Sequence, residues 1–115
     1  MIILVIVAFV IGYFFYLNRS QSQNELAKYK DLIRTGSAIG LDVRNASELQ
    51  SSPAPGAMHI PLKVLMSKGL KTEKTVLVFC ASGGRSSVAK GYLKSIGIKN
   101  VINIGTWKVW NALNE

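Results

Sequence analysis

The chain has 115 residues, enough for one small domain and a targeting segment. Fourteen Lys and Arg against six Asp and Glu give a net charge of +8. The lysines are scattered and no nucleic-acid motif is visible, so attraction of small anions or of an anionic membrane surface explains the charge more simply than nucleic-acid binding. The single cysteine excludes an intramolecular disulfide and a cysteine-rich metal site.

The N-terminal stretch MIILVIVAFVIGYFFYL contains no charged side chain and no proline. At helical rise it reaches about 25 Å, near the lower limit for crossing a hydrocarbon core of about 30 Å. We therefore predict a single-pass transmembrane anchor at residues 1–18, followed by a polar linker at residues 19–24. Basic residues follow the apolar run, so the positive-inside rule places the folded domain in the cytoplasm. The alternative is a cleaved secretory signal, which would make the domain periplasmic or secreted.

Residues 25–115 show alternating helical and strand patterns. Strands are predicted at residues 38–43, 57–60, 76–79 and 101–104. Helices are predicted at residues 25–34, 62–70 and 86–96, with a short helical turn within residues 45–52. This alternation predicts a three-layer α/β domain around a central parallel sheet.

Helical spacing also predicts which side chains face the core. On the helix of residues 86–96 the predicted inward stripe is Val88, Tyr92, Leu93 and Ile96. On the helix of residues 62–70 the predicted inward residues are Leu62, Leu65 and Met66. Trp107 and Trp110, near the C-terminus, are most simply part of the core or a lid over an apolar face.

The most informative stretch is VLVFCASGGRS, residues 76–86. An apolar, β-branched run typical of a buried parallel strand ends on Cys80, and small residues that allow a tight turn follow it. Arg85 and a helical pattern come next. A cysteine between a strand end and a helix N-terminus meets unpaired backbone N–H groups and the positive end of the helix dipole, which favour the reactive thiolate. The competing interpretation is an inert buried thiol.

The length of this loop separates two chemistries. Cys80 and Arg85 have four residues between them, one fewer than in cysteine-dependent phosphatases. A cradle of N–H groups must match its anion in size, and the shorter loop suits a terminal sulfur better than a tetrahedral phosphoryl group. The spacing favours sulfur transfer over phosphate removal.

Three segments resemble the single-domain rhodaneses, a family of sulfurtransferases. CASGGRS resembles the family's active-site loop, Gly40–Arg44 resembles its Asp-Val-Arg strand end, and Pro55–Leu62 resembles its Pro-Gly-Ala segment. Pro53 stands where the family often has a histidine, and Gly105–Thr106 replaces a pair of glycines. The only histidine, His59, lies between apolar residues and is left out of the predicted site.

The resemblance implies the rhodanese-like fold and a double displacement. The Cys80 thiolate would take the outer sulfur of a small anionic donor such as thiosulfate, forming a persulfide, and pass it to cyanide or a thiol. Arg85 would order the loop and supply positive potential. The other loop residues would bind the sulfur: Ala81, Ser82, Gly83, Gly84 and Ser86. Arg44 would attract the donor, Asp42 would support the loop, and no metal or organic cofactor is required.

Three alternatives remain open at this point. A phosphatase is disfavoured by loop length. A non-catalytic interaction module built on the same scaffold would be expected to lack the cysteine. A sulfur carrier anchored at the membrane would hold the same persulfide but deliver it to a protein partner, with thiosulfate activity incidental.

Overall fold

The computed structural model describes residues 2–115, apart from the side chains of residues 15–23. The elements in chain order are α1 (Ile2–Arg34), β1 (Ala38–Asp42), α2 (Ala46–Ser51), β2 (Met58–His59), α3 (Leu62–Lys68), β3 (Thr75–Cys80), α4 (Gly84–Ser95), β4 (Val101–Thr106) and α5 (Trp107–Leu113). Each strand predicted from the sequence is confirmed within two residues at either end. The tail from Trp107 forms a helix, which the sequence reading left unassigned.

All four strands pair in parallel, in the order β2-β1-β3-β4. In this register Asp42 of β1 lies beside Phe79 of β3, and Cys80 lies beside Thr106 of β4. Because parallel strands share one carboxyl edge, Asp42, Cys80 and Thr106 end up at the same edge of the sheet. The site residues predicted on separate strands therefore meet there.

Each face of the sheet carries its own apolar cluster. On one face the strands pack against Leu65 of α3 and against Ala89 and Leu93 of α4, all fully buried. On the other face Phe79 stacks on Trp110 of α5 with ring centroids 5.7 Å apart, and the C-terminal part of α1 covers the remainder. The predicted three-layer α/β architecture with a central parallel sheet is confirmed.

The inward stripe predicted for α4 is partly wrong. Val88 and Ile96 are 51% and 42% exposed, whereas α4 buries Ser86, Ala89 and Leu93. Because Ala89 is small, α4 can pack closely against β3 at this position. The buried face of α4 therefore contains fewer large apolar residues than the sequence pattern predicts. On α3 the same correction applies to Met66, which is 50% exposed beside a fully buried Leu65.

The N-terminal prediction also needs correction. Among the residues that the structure describes in full, no helix combines the length and the apolar composition needed to cross a membrane. The prediction of a single-pass membrane protein, anchored through residues 1–18 with its domain in the cytoplasm, is therefore wrong. Met1 and residues 15–18 of that predicted anchor lie outside the fully described part of the chain.

The predicted linker, residues 19–24, falls largely on residues whose side chains are also outside the described part. Its bounds, and those of the domain at residues 25–115, stay predictions. Within α1, Tyr29, Leu32 and Ile33 pack on the cluster around Phe79.

Gly40 in β1 provides a test of the packing around Trp110. A Cβ added at Gly40 would lie 2.5 Å from two atoms of the Trp110 ring. That ring cannot move freely, because it stacks on Phe79 and its Nε1–H donates to the Pro55 carbonyl at 2.9 Å. We predict that Gly40→Ala lowers the free energy of unfolding by about 1–3 kcal/mol, as overpacking of a core does, in a urea titration.

The matched control is Gly91→Ala, in the middle of α4. An added Cβ there meets nothing within 4 Å, and alanine is favoured over glycine in a helix by roughly 0.5–1 kcal/mol. Gly91→Ala should therefore raise the free energy of unfolding. An unchanged stability for Gly40→Ala would contradict the described packing.

Candidate active site

Cys80 is the last residue of β3, and its side chain has no exposed surface. It belongs to the apolar cluster under α4. The chain then turns through Ala81, Ser82 and Gly83 and enters α4 at Gly84. Gly83 has φ +97°, a left-handed conformation that side chains rarely adopt, so glycine is what allows the turn at this position.

The turn directs backbone donors at the sulfur. The Gly83 N–H donates to Cys80 Sγ at 3.0 Å, and the Ser86 N–H donates at 3.4 Å. The Ser86 hydroxyl oxygen lies 3.5 Å from the same sulfur. These groups lie in the turn and at the start of α4, whose first N–H groups have no partner within the helix. Two backbone N–H groups therefore donate to the sulfur, and a hydroxyl lies beside it.

This environment changes the acidity of the thiol. Burial raises the pKa of Cys80, but hydrogen bonds from the Ser86 side chain and from the backbone N–H groups of Ser86, Ser82 and Gly83 lower it by more. The net result is a pKa below the ordinary value for cysteine. A lowered pKa increases the thiolate fraction, which is the nucleophilic form.

Arg85 forms an ion pair with the carboxylate of Glu48. Its Nη1 and Nη2 donate to Glu48 Oε1 and Oε2 at 2.6 and 2.7 Å, a two-pronged ion pair between α4 and α2. The hydrogen bond from Arg85 holds the pKa of Glu48 at about 2, and the same bond raises the pKa of Arg85. A negative charge on Cys80 also raises the pKa of Arg85, so the two charges attract each other.

A second ion pair lies at the end of β1. The side chains of Asp42 and Arg44 are each 1% exposed, and Arg44 Nη2 donates to Asp42 Oδ2 at 2.8 Å. Arg44 Nη2 also donates to the Ser52 carbonyl at 2.8 Å. The Trp107 ring covers the guanidinium at 5.6 Å. Arg44 is thus enclosed within the protein, where a donor from solution does not meet it.

Residues 25–113 match the profile of the Rhodanese-like domain family, which covers most of the chain. The chain belongs to the rhodanese-like domain family.

Individual relatives agree with this assignment. The chain is 36% identical over 66 residues to the Bacillus subtilis (strain 168) protein named "Putative sulfur carrier protein YrkF", covering 56% of this chain but only 36% of that protein. It is 29% identical over 76 residues to a protein of Allochromatium vinosum named "Sulfurtransferase", covering 64% of this chain and 70% of that protein. The chain therefore spans about a third of the length of the first of these relatives.

Solved structures agree as well. The human single-domain sulfurtransferase TSTD1 superposes with a TM-score of 0.64 at 25% sequence identity, covering 75% of this chain and 91% of that one. The chain is a member of a sulfurtransferase and sulfur-carrier family, as its sequence motifs predicted.

The rhodanese-like loop brings most of the predicted site residues together. Gly83 and Ser86 contact the sulfur directly, and the backbone of Ser82 contributes to its acidity. Ala81 and Gly84 lie in the same turn and at the start of α4. Arg85 forms its ion pair with Glu48 of α2, and the burial of Arg44 argues against the expected contact between Arg44 and a donor. The roles of these residues stay predictions.

The sequence did not predict two partners of the site, Glu48 and Asn103. Glu48 lies 37 residues before Arg85, and its only sequence signal is its place three residues after Asn45, where its carboxylate accepts the Asn45 N–H. Asn103 Oδ1 of β4 accepts a hydrogen bond from the Ser86 hydroxyl at 2.8 Å, and no pattern in the sequence indicates this contact. His59 lies outside the loop: its Nε2 hydrogen-bonds the Arg44 carbonyl at 2.7 Å.

Metal ligation has no support in the described residues: no group of three or more His, Cys, Asp or Glu side chains there is arranged to hold an ion.

The Glu48–Arg85 pair predicts a specific pH dependence. The pKa of Glu48 is lowered from 4.5 to about 2, so its contribution to the free energy of unfolding is present in full above about pH 4.5 and is lost as the pH falls through 2. Glu48→Gln should lower the free energy of unfolding by about 1 kcal/mol at pH 7, the upper range for a partly exposed pair. At pH 2 wild type and variant should converge.

Urea titrations of both proteins at pH 7, 4 and 2 measure this difference. Glu73→Gln removes an exposed carboxylate elsewhere on the surface and controls for the change in net charge. An equal difference between wild type and Glu48→Gln at pH 7 and at pH 2 would show that the charge of Glu48 does not stabilise the fold.

Proposed function

We propose that the protein is a sulfurtransferase that carries a sulfane sulfur as a persulfide on Cys80, with a small anionic donor such as thiosulfate and a thiol or cyanide acceptor. The observation that carries this proposal is the sulfur cradle: two backbone N–H groups and one hydroxyl within 3.5 Å of Sγ. Membership of the rhodanese-like family supports the same chemistry.

The first half-reaction follows from this cradle. The Cys80 thiolate attacks the outer sulfur of thiosulfate; the new S–S bond forms as the donor's S–S bond breaks, and its electron pair leaves with sulfite. The persulfide anion carries its charge on the outer sulfur. Loop N–H groups at the start of α4 are donors for that charge, and they are in place before the reaction, so no reorganisation is needed.

The second half-reaction reverses the bond change. An acceptor thiolate or cyanide attacks the outer sulfur, and the electron pair of the persulfide bond returns to Cys80 Sγ as a thiolate. Arg85 contributes positive potential near this sulfur while Glu48 fixes its direction. The buried ion pair of Asp42 and Arg44 stabilises the backbone at the end of β1, beside the strand that carries Cys80.

A sulfur carrier is the second candidate. It is favoured by the likeness to a protein whose printed name describes a sulfur carrier, and by the neutral side chains of Ala81 and Ser82, which add no cation for a dianion such as thiosulfate. A carrier would form the same persulfide on Cys80 but would receive it from another donor. The two candidates therefore differ in the donor and not in the nucleophile.

Intact mass measurement separates these possibilities. We predict that the full chain, incubated with thiosulfate and freed of excess donor, gains the mass of one sulfur atom, and that cyanide removes this added mass. The Cys80→Ser variant should gain nothing, because the oxygen nucleophile cannot form a persulfide.

The outcome with other donors completes the test. An adduct formed from a low-molecular-weight persulfide but not from thiosulfate would identify the carrier. No adduct from any donor, with the protein folded and its thiol free, would contradict both and would favour a non-catalytic interaction module.

A further inference from the structure

The Ser86 hydroxyl has more acceptors than it can serve. Its oxygen lies 2.8 Å from Asn103 Oδ1, 3.0 Å from the Gly83 carbonyl and 3.5 Å from Cys80 Sγ. A hydroxyl carries one hydrogen, so it donates to one acceptor at a time. Ser86 is fully buried, so protein groups are the acceptors available to its hydroxyl. Asn103 offers the shortest of the three distances.

The orientation of the Asn103 amide is fixed by its neighbours. The Gly105 N–H can only donate, and it lies 2.9 Å from Asn103 Oδ1, so the oxygen must face it. The amide nitrogen donates to Ser87 Oγ at 3.0 Å, and the Ser87 hydroxyl donates to the Gly83 carbonyl at 2.9 Å. Both ends of the amide are held, and Oδ1 faces the Ser86 hydroxyl as an acceptor.

We propose that Asn103 is a positioning residue that competes with Cys80 Sγ for the single hydrogen of the Ser86 hydroxyl. In the thiol state Ser86 donates to Asn103, and the Cys80 S–H faces the Ser86 oxygen. When the thiol loses its proton to solvent, the hydroxyl turns and donates to the sulfur anion, while Asn103 Oδ1 keeps the Gly105 N–H. Asn103 thereby stabilises the thiol relative to the thiolate.

This inference rests on the proposed function only for its purpose, since it concerns the acidity of the nucleophile. The Ser86 side chain is among the groups that lower the Cys80 pKa, so withdrawing its hydrogen opposes that effect. Other charged groups near the sulfur are Arg85 of α4 with Glu48 of α2, and Asp42 with Arg44 at the end of β1. β4, with sequence VINIGT, carries no charged side chain, so Asn103 acts through the hydroxyl.

A purely structural role predicts the opposite sign. If Asn103 only held β4 against the loop, its loss would loosen the N–H donors around the sulfur and raise the thiol pKa. If Asn103 competes for the Ser86 hydrogen, its loss frees that hydrogen for Sγ and lowers the thiol pKa, since the Gly83 carbonyl already accepts from the Ser87 hydroxyl and the Ser87 N–H. The direction of the change therefore distinguishes the two roles.

The experiment measures the Cys80 pKa in the full chain from the pH dependence of its alkylation by iodoacetamide. Asn103→Ala should lower the pKa by roughly half a unit to one unit, since a hydrogen bond to a charged sulfur is worth more than one to a neutral acceptor. Ser86→Ala should raise it. Asn103→Ala added to Ser86→Ala should change it little, because the shared hydrogen is gone.

Asn100→Ala is the matched control: Asn100 is exposed and lies just before the first residue of β4, so its loss should leave the thiol pKa unchanged. A raised or unchanged pKa in Asn103→Ala, or an equal fall in the Ser86→Ala background, would overturn the inference. Because the thiol pKa is read without any sulfur donor, the proposed sulfur transfer and the role of Asn103 can fail independently.

Discussion

The site depends on one constraint: the pKa of the Cys80 thiol is lowered at a position with no exposed surface. Cys80 ends a strand inside an apolar cluster, where burial alone would hold the thiol in its neutral form. Hydrogen bonds to the charged form offset that effect. The N–H donors to the sulfur are backbone groups, whose positions are set by the fold and not by mobile side chains.

Each neighbouring element contributes to keeping those donors in place. The parallel sheet brings β3 and β4 to one edge, so that the end of β4 lies against the loop: a Cβ on Gly83 would lie 3.8 Å from Gly105 Cα. α4 supplies the Ser86 N–H and packs closely through Ala89. The Arg85–Glu48 pair connects the start of α4 to α2, so the loop is held both by β4 and by α2.

The sequence predicted the strands and the turn after Cys80 well because these depend on local signals. An apolar β-branched run, a glycine pair and a helical pattern all lie within residues 76–96, and each has a direct physical meaning. The buried faces of α3 and α4 were predicted less well, since Met66 and Val88 are apolar but exposed. An apolar side chain can lie in the core or at the surface, and its distance from the sheet decides whether it is buried.

The partners of the site could not be predicted for a different reason. Glu48 and Asn103 act across 37 and 17 residues of chain, and neither carries a pattern that depends on the residue it contacts. The role expected for Arg44 came from its charge, but its burial under Trp107 is visible only in three dimensions. The membrane prediction rested on the length and apolar composition of the N-terminal run and on the basic residues after it, and it is contradicted within the described residues.

A crystal structure of the full chain after exposure to thiosulfate is the most direct test of the central claim. The account predicts a second sulfur atom bonded to Cys80 Sγ, directed into the turn and within hydrogen-bond distance of backbone N–H groups between Ala81 and Ser86. An outer sulfur directed away from the turn, or an oxyanion bound in the turn beside an unmodified Cys80, would contradict it.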